Sequence, residues 1–187
     1  MALKISEKEK MLNGKYYDPT DNELKKDRME ARKLIHSLNQ LTPAEEIKKN
    51  EIIKQLLGKT GKYFSVEPPF YCDYGYNIEV GENFYANFNC IILDVNKVLI
   101  GDEVQLGPGV HIYTASHPSI PKERLTKTEY GEKVVIGNNV WIGGGTIILP
   151  GVEIGSNTTI GAGSVVTKDI AANVVAVGNP CEVIKKF

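Results

Sequence analysis

The chain has 187 residues, of which 42% are apolar, and a formal net charge of −1 at pH 7. This composition supports a folded core and gives no general attraction to nucleic acid or to an anionic membrane. The three cysteines, Cys72, Cys90 and Cys181, are widely spaced and form no CxxC pair, which argues against disulfides and against a thiolate zinc site. The opening MALKISEKEK lacks the apolar region of a signal peptide, and no later segment is long and apolar enough to cross a bilayer. We expect a cytoplasmic protein whose partners are small molecules or copies of itself.

The N-terminal part of the chain follows helical patterns. Ser6, with Glu9 three residues later, predicts the start of a short helix, and the run TPAE from Thr42 combines a capping box with a proline at the first helical position. Between these signals, apolar residues at near-helical spacing predict a longer helix over residues 21–40. We therefore expect two substantial helices and a short leading one, and we assign residues 1–61 to an N-terminal helical segment.

From residue 134 to residue 169 the chain repeats a six-residue pattern. Aliphatic side chains recur every six residues, at Ile136, Ile142, Ile148, Ile154, Ile160 and Val166. Side chains two apart on a strand point to the same side, so each aliphatic residue points inward together with a small or β-branched residue two positions earlier. Glycine and asparagine residues follow in the turns. A sustained hexapeptide period predicts a parallel β-helix, in which each coil buries an apolar face against the next.

The same phase appears earlier in the chain, so we assign residues 62–187 to the β-helix. If three hexapeptides form one coil, the inward positions of four coils are Val80, Ala86 and Ile92; Ile100, Leu106 and Ile112; Ile136, Ile142 and Ile148; and Ile154, Ile160 and Val166. The repeat breaks once, over about residues 114–133, and this inserted loop contains His117. Long loops within compact domains are usually functional, so we expect this loop to carry function.

The phasing also predicts two surface features. A column of turns follows the middle strand of each coil, at Asn87-Phe88, Gly107-Pro108, Gly143-Gly144 and Gly161-Ala162. Turns stacked at roughly 4.8 Å form a narrow groove with exposed backbone amides. The outward residues of the strands that follow form a mostly apolar stripe, at Ile91, His111, Ile147 and Val165. Such a stripe predicts a buried subunit face.

Five motifs together resemble one known family. They are residues 14–19 (GKYYDP), 83–89 (NFYANFN), 114–118 (TASHP), 136–143 (IGNNVWIG) and 178–181 (GNPC). Their combination resembles the maltose and galactoside O-acetyltransferases of the hexapeptide-repeat class, over nearly the whole chain. The resemblance implies a mostly β fold, a left-handed parallel β-helix with an N-terminal helical extension, and a homotrimer with its sites between subunits. It also implies acetyl transfer from acetyl-CoA, as co-substrate, to a sugar hydroxyl, with no metal required.

A sugar hydroxyl is a poor nucleophile near neutral pH, so its direct attack on a thioester needs a general base. Histidine suits this role, and general base catalysis is typically worth roughly 10² to 10⁴ in rate. By resemblance, the base is His117. Asn87 matches the acceptor-site asparagine of the family, whose amide can hydrogen-bond a hydroxyl.

The resemblance also implies an acceptor site, whose candidate residues are Asp18, Asp73, Tyr85, Asp94, Glu129 and Trp141. Asp73 replaces a serine of the galactoside enzymes, and Val95 replaces an aspartate beside Asp94, so a maltose- or glucose-like acceptor and a galactoside both stay open. Glu129 matches the loop position that lies nearest the acceptor in the family, so it could help to position the base. Trp141 is the only tryptophan, and we expect it to point out of the solenoid at a subunit boundary.

Five residues are candidates for binding acetyl-CoA, namely Gly144, Ala162, Thr167, Lys168 and Lys185. The first two belong to the turn column and offer backbone contacts to the pantetheine arm, where an amide near Gly144 could stabilise the thioester oxyanion. Lys168 and Lys185 could meet the nucleotide phosphates. Glu182 stands where the family often has arginine, so we expect one phosphate contact to be weaker or to be remade by Lys185 or Lys186.

Other functions stay open. Within the same chemistry, serine or an antibiotic could replace the sugar as acceptor. A metal hydratase of the γ-carbonic anhydrase kind also uses a left-handed β-helix, and His111 and His117 are six residues apart. Zinc would need a third ligand, and the remaining histidine is His36 in the helical segment. A non-catalytic trimeric scaffold is the last alternative, although a scaffold has no need for a histidine on a long loop.

Overall fold

The computed structural model describes residues 5–187, which form four helices and eighteen strands. The helices are α1 (Glu7–Leu12), α2 (Asn22–Asn39), α3 (Glu46–Leu56) and α4 (Pro121–Arg124). The strands are β1 (Phe64–Val66), β2 (Phe70–Cys72), β3 (Ile78–Val80), β4 (Phe84–Ala86), β5 (Cys90–Leu93), β6 (Val98–Ile100), β7 (Gln105–Leu106), β8 (His111–Tyr113), β9 (Ala115–Ser116), β10 (Tyr130–Gly131), β11 (Val134–Ile136), β12 (Trp141–Ile142), β13 (Ile147–Ile148), β14 (Glu153–Ile154), β15 (Thr159–Ile160), β16 (Val165–Val166), β17 (Val174–Val177) and β18 (Glu182–Lys186). Among these described residues, no helix has both the length and the apolar character that crossing a bilayer requires.

The predicted helices form, with one correction to their boundaries. Ser6 caps α1 as predicted, because its hydroxyl accepts a hydrogen bond from the Glu9 N–H and the Glu9 carboxylate accepts one from the Ser6 N–H. The prediction that Thr42 opens α3 is wrong. The Glu45 carboxylate accepts a 2.9 Å hydrogen bond from the Thr42 N–H, and this contact closes a turn ahead of the helix. α3 therefore begins at Glu46.

Parallel strands stack into three sheets that close into a β-helix. The sheets have the strand orders β14-β11-β6-β3, β1-β4-β7-β12-β15-β17-β18 and β16-β13-β8-β5-β2. Successive strands along the chain enter the three sheets in turn, so three hexapeptides form one coil, as predicted. Strand register places the predicted inward residues opposite one another in three columns: Val80, Ile100, Ile136 and Ile154; Ala86, Leu106, Ile142 and Ile160; Ile92, Ile112, Ile148 and Val166. The predicted parallel β-helix is confirmed.

The three columns of inward residues form one continuous apolar core. Every one of these residues is at most 5% exposed, and burying a large aliphatic side chain is worth about 1.5 to 3 kcal/mol relative to leaving it exposed. Helices α2 and α3 close the first end of this core, since Ile35, Leu38 and Ile53 belong to the same buried cluster as Val66 and Phe70. The helical segment therefore shares its core with the β-helix. At the other end, β18 pairs antiparallel with β17 at the edge of the seven-stranded sheet.

A second, smaller group of buried side chains lies beside the first coils, and we call it the satellite core. Its members are Met11, Tyr17, Leu24, Tyr74 and Val95, with Tyr76 and Ala115 packed against them. These residues come from the segment around α1, from α2, from the first coils and from the beginning of the inserted loop. The satellite core thus joins the N-terminal segment to the loop that carries His117.

One corner of the β-helix repeats a left-handed backbone conformation. Asn83, Asn139, Asn157 and Asn173 have φ between 52° and 61°, and Glu103 has φ 58°. The Asn139 amide donates to Asn157 at 2.9 Å, and the Asn157 amide donates to Asn173 at 3.0 Å. Asparagine tolerates this conformation, whereas a residue with a longer side chain pays about 1 to 2 kcal/mol for it. Among these five residues, Glu103 therefore adopts the left-handed conformation at the highest cost in free energy.

We expect Glu103→Asn to raise the free energy of unfolding by about 1 kcal/mol, because asparagine adopts positive φ at lower cost. Chemical denaturation monitored by circular dichroism measures the change. Glu103→Gln is the matched control, since glutamine has an amide but no preference for positive φ, and it should give no such gain. Equal stability of the two variants would show that the backbone conformation is not the cause.

Candidate active site

The inserted loop leaves the solenoid as a two-stranded antiparallel ribbon. Its strands β9 and β10 pair Ala115 with Gly131 and Ser116 with Tyr130. Buried polar contacts fix the base of the ribbon: the Thr114 hydroxyl donates to the Leu93 carbonyl at 2.7 Å and accepts from the Asn96 N–H at 2.9 Å. His117 follows β9 directly and is exposed, while the next residue, Pro118, is buried. The fold thus places His117 where the ribbon leaves the solenoid, three residues after Thr114.

His117 opens onto a cavity of about 310 Å³. The lining residues are Pro19, Arg28, Arg32, Asp73, Tyr74, Leu93, Val95, Ala115, His117 and Glu129. Its size is at the lower end of ordinary small-molecule sites, roughly 300 to 1,000 Å³. The lining combines charged side chains with the apolar side chains of Leu93, Val95 and Ala115. The structure thus brings together three of the predicted site residues, His117, Asp73 and Glu129.

Asp73 is a half-buried carboxylate that accepts no hydrogen bond from any residue between 5 and 187. Burial raises its pKa; the nearby guanidinium of Arg28 opposes this rise, and the charge of Glu129 adds to it. The Arg28 side chain is itself engaged, because it donates to the Tyr74 hydroxyl and to the Pro19 carbonyl. A carboxylate in a cavity without a partner is suited to accept hydrogen bonds from a ligand.

Glu129 has a partner that the sequence analysis missed. The Tyr17 hydroxyl donates to Glu129 Oε2 at 2.8 Å, across 112 residues of sequence. The backbones of the two residues also form an isolated antiparallel bridge. Tyr17 belongs to the GKYYDP motif, but nothing in the sequence pairs that motif with residue 129.

The prediction that Asp94 binds the acceptor is wrong, because its side chain is fully buried. Its carboxylate accepts hydrogen bonds from the N–H groups of Asp73 at 3.0 Å, Tyr74 at 2.8 Å and Asn77 at 3.3 Å. Burial raises the pKa of Asp94 to about 7, and the backbone hydrogen bonds oppose that rise. Asp94 therefore holds the backbone that presents Asp73 to the cavity.

Asp18 lies at the rim, next to Pro19. One of its carboxylate oxygens accepts hydrogen bonds from the Thr20 N–H at 2.8 Å and from the Thr20 hydroxyl at 2.7 Å, and these bonds lower the pKa of Asp18. The side chain is exposed and does not line the cavity itself. The structure thus places it beside the predicted site with one oxygen already engaged.

Three other predicted residues lie elsewhere on the chain. Tyr85 and Trp141 point outward from the seven-stranded sheet, each opposite Gln105, and Trp141 is 58% exposed. Asn87 follows β4, where its side-chain oxygen accepts a hydrogen bond from the Phe88 N–H at 2.8 Å. In the five-stranded sheet, β5 begins shortly after Asn87, and its parallel neighbour β8 ends just before the ribbon that carries His117. Because β5 and β8 are parallel, Asn87 lies near the N-terminal ends of these strands and His117 lies beyond their C-terminal ends.

The predicted stripe is present on the outer surface of the five-stranded sheet. Register places Ile91, His111, Ile147 and Val165 opposite one another in that order, and all four are partly exposed. The His111 ring lies 2.6 Å from the Tyr113 hydroxyl, measured from Nδ1. This surface is apolar except at its middle, where the histidine is already hydrogen-bonded.

The predicted column of turns is confirmed. The N–H of Gly107 donates to Ile142, that of Gly143 to Ile160 and that of Gly161 to Ala176, at 2.8 to 2.9 Å. The turns approach so closely that a Cβ built on Gly143 would lie 2.4 Å from the Ala162 nitrogen. Among the described residues, the N–H groups of Gly144 and Ala162 have no acceptor. The column therefore presents unpaired backbone donors along a surface with little side-chain bulk.

The remaining predicted cofactor residues lie near the last coil. Thr167 and Lys168 follow β16 and are exposed. Lys168 Nζ lies 2.8 Å from the carboxylate of Glu182, and both side chains are more than half exposed. Lys185 is on β18, with its Nζ 5.4 Å from the centre of the Phe187 ring. The residue that departs from the family pattern, Glu182, thus pairs with one of the two predicted phosphate-binding lysines.

The histidines do not converge on a metal site. His36 is exposed in the last turn of α2, His111 is bonded to Tyr113 on the sheet surface, and His117 is on the ribbon. Between residues 5 and 187, no three histidine, cysteine or acidic side chains form a group that could hold a metal ion. The metal-hydratase hypothesis therefore has no set of ligands in this part of the chain.

Two family descriptions match the chain. Residues 10–61 match the maltose acetyltransferase hexapeptide capping motif, and residues 133–168 match the bacterial transferase hexapeptide of six repeats. The galactoside O-acetyltransferase of Escherichia coli K12 is 43% identical over 179 residues, which are 96% of this chain and 88% of that protein.

Solved structures agree with these matches. A maltose O-acetyltransferase from Clostridium difficile 630 has a TM-score of 0.97 and 56% identity, over 98% of both chains. A galactoside acetyltransferase in complex with coenzyme A has a TM-score of 0.94 and 42% identity, over 98% of this chain and 92% of that one. The similarity thus spans the helical segment, the solenoid and the inserted loop.

Proposed function

The chain belongs to the maltose and galactoside O-acetyltransferases of the hexapeptide-repeat class, and we propose that it acetylates a hydroxyl of a maltose-, glucose- or galactoside-like sugar with His117 as general base. It is an acetyl-CoA-dependent O-acetyltransferase. The observation that carries the proposal is the cavity at the mouth of the inserted loop, where His117 lies beside the unpartnered carboxylate of Asp73 and beside Glu129.

In the proposed reaction, the acceptor oxygen attacks the thioester carbonyl carbon while the His117 imidazole takes the hydroxyl proton. Negative charge moves to the carbonyl oxygen, and the unpaired N–H of Gly144 is the candidate donor to it. The tetrahedral intermediate then collapses and the carbon–sulfur bond breaks. The leaving thiolate receives the proton from the imidazolium, which restores the base.

We propose a homotrimer with its sites between subunits. Within one chain, Asn87 lies near the N-terminal end of β5 and His117 lies beyond the C-terminal end of the parallel strand β8, so in this proposal a neighbouring subunit brings the surface with Asn87, Tyr85 and Trp141 to the histidine cavity. The apolar stripe supports this proposal, because partly exposed aliphatic side chains in a row are typical of a surface that another subunit covers. Exposed Trp141 supports it as well.

The turn column is the proposed binding groove for acetyl-CoA. Its unpaired donors at Gly144 and Ala162 suit the amide oxygens of the pantetheine arm. Thr167, Lys168 and Lys185 are the proposed contacts at the nucleotide end. The exposed Lys168–Glu182 pair is worth about 0 to 1 kcal/mol, so a phosphate can displace Glu182 from Lys168 at little cost.

We propose that residues 62–187, with the inserted loop 114–133, form the acetyltransferase domain and that residues 1–61 serve as its helical cap. A cytoplasmic location fits the use of acetyl-CoA and the three free, buried cysteines. On the acceptor side, Asp73 is the main proposed contact to sugar hydroxyls, and Asp18 is a contact at the rim.

A thiol-release assay with acetyl-CoA tests the proposed acceptor class. We expect rapid release of CoA with maltose, with glucosides or with galactosides, and only background release with free serine or without any acceptor. The reason is that the cavity lining offers both charged groups and apolar side chains, which suits a sugar ring. Saturation kinetics over the whole panel then rank the acceptors by kcat/KM.

Mass spectrometry of the product serves as the control, since it separates acetylated sugar from simple hydrolysis of acetyl-CoA. Release of CoA with serine or an antibiotic, and with none of the sugars, would show that the acceptor is not a sugar. Absence of transfer to every acceptor, with acetyl-CoA still bound, would instead favour the scaffold alternative.

A further inference from the structure

The N-terminal segment contacts the far side of the inserted loop at several points. The Tyr17 N–H donates to the Glu129 carbonyl at 2.9 Å, and the Glu129 N–H donates back to the Tyr17 carbonyl at 3.1 Å. The Tyr17 hydroxyl donates to Glu129 Oε2 at 2.8 Å. The rings of Tyr16 and Tyr130 meet edge to face, with their centres 5.2 Å apart. This segment therefore joins the loop through an isolated antiparallel bridge next to the ribbon formed by β9 and β10.

The outer part of the loop makes few other attachments. Among the described residues, the hydrogen bonds of residues 119–128 stay within the loop itself. Helix α4 buries no side chain, and Ile120 and Leu125 are 53% and 81% exposed. The ribbon and the Tyr17–Glu129 bridge thus hold the loop on the body of the protein.

Tyr17 is well placed to transmit this restraint. Its side chain is 1% exposed and packs in the satellite core with Tyr74 and Val95, which also line the cavity. Burial raises the pKa of the Tyr17 hydroxyl, and the charge of Glu129 raises it further. The hydroxyl therefore stays protonated over the working pH range and donates to Glu129 throughout.

We propose that Tyr17 is a positioning residue for the transfer reaction: through Glu129 it fixes the loop that carries His117 and so sets the place of the base against the acceptor. This inference rests on the proposed role of His117. It gives the helical segment a part in the chemistry beyond closing the core. A displacement of about 1 Å can cost roughly a hundredfold in rate, so a restraint on the loop has a measurable effect.

The test is Tyr17→Phe, which keeps the buried ring and removes the hydroxyl. We expect kcat to fall about tenfold, which is less than the roughly hundredfold loss that a 1 Å displacement can cause. KM for acetyl-CoA should stay within about twofold, because the turn column lies on a different surface. We also expect trypsin to cut the loop faster at Lys122, Arg124 or Lys127, which are all exposed. Tyr63→Phe, at a tyrosine that is 60% exposed and remote from the loop, is the matched control and should change neither quantity.

A double-mutant cycle separates positioning from a general loss of stability. If Tyr17 acts through Glu129, Tyr17→Phe has little further effect on kcat when it is added to Glu129→Leu. Glu129→Gln keeps an oxygen that accepts from Tyr17 and should retain most of the activity that Glu129→Leu loses. A lower melting temperature of Tyr17→Phe, with kcat and the rate of proteolysis unchanged, would overturn the inference. So would a cycle in which the two substitutions lower kcat by independent, fully multiplicative factors.

The outcome is also separable from a failure of the proposed function. Near-normal turnover in His117→Ala would remove the base assignment itself, whatever Tyr17→Phe does. Loss of turnover in His117→Ala with no effect of Tyr17→Phe would leave the base in place and reject only the positioning role.

Discussion

We expect the replacement of His117 by alanine to lower the rate of acetyl transfer at least a hundredfold, while acetyl-CoA still binds. A general base is typically worth roughly 10² to 10⁴ in rate, and His117 is the histidine that opens onto the cavity. Its side chain is exposed, so its loss should leave the fold and the turn column unchanged. Thiol release measures the rate, and isothermal titration calorimetry measures acetyl-CoA binding in the same preparation.

His36→Ala is the matched control for this experiment. His36 is an exposed histidine in the last turn of α2, outside the cavity, and its loss should leave turnover unchanged. Near-normal turnover in His117→Ala would show that another group takes the proton. Equal losses in both variants would point to a general effect on the protein instead.

Gly143→Ala should disrupt the β-helix. The added Cβ would lie 2.4 Å from the nitrogen and 2.8 Å from the Cα of Ala162, and backbone atoms cannot rotate away as a side chain can. Overpacking of a close-packed interior typically costs 1 to 3 kcal/mol when side chains have to shift, so we expect a loss of more than about 3 kcal/mol here. Thermal unfolding monitored by circular dichroism measures it, and acetyl-CoA binding should fall with the fraction folded.

Gly145→Ala, two residues later, is the control. Gly145 has φ +68°, but nothing lies within 4 Å of the Cβ position. The variant should therefore lose only the cost of a left-handed alanine, about 1 to 2 kcal/mol. If the two variants unfold at the same temperature, conformation rather than the close approach of the turns explains the requirement for glycine.

The periodic part of the fold could be predicted from the sequence, because each coil has to place apolar side chains where the next coil can cover them. This condition fixes the inward position of Ile142 between those of Leu106 and Ile160, and the register agrees. The turn column follows from the same phase. The start of α3 could not be predicted in the same way, because Thr42 and Glu45 form their side-chain contact equally well in an isolated turn.

The candidate site was predictable only in part. His117, Asp73 and Glu129 were predicted from the family resemblance, and they line one cavity. Asp94 was misjudged because a sequence does not reveal whether a carboxylate faces solvent or accepts from backbone amides, as Asp94 does in full burial. The contact of Tyr17 with Glu129 spans 112 residues, and no local pattern encodes such a pairing.

The two ends of the solenoid differ in how they are covered. Stacked coils leave open strand edges at both ends of a β-helix, and open edges are templates on which further chains can add. Here α2 and α3 cover the first end, and β18 occupies the last position of its sheet with the opposite polarity. An incoming coil would need a parallel neighbour at that edge and would meet an antiparallel one. The antiparallel strand β18 therefore ends the parallel stacking of the seven-stranded sheet, and an end-to-end continuation by a further coil would not find a parallel partner there.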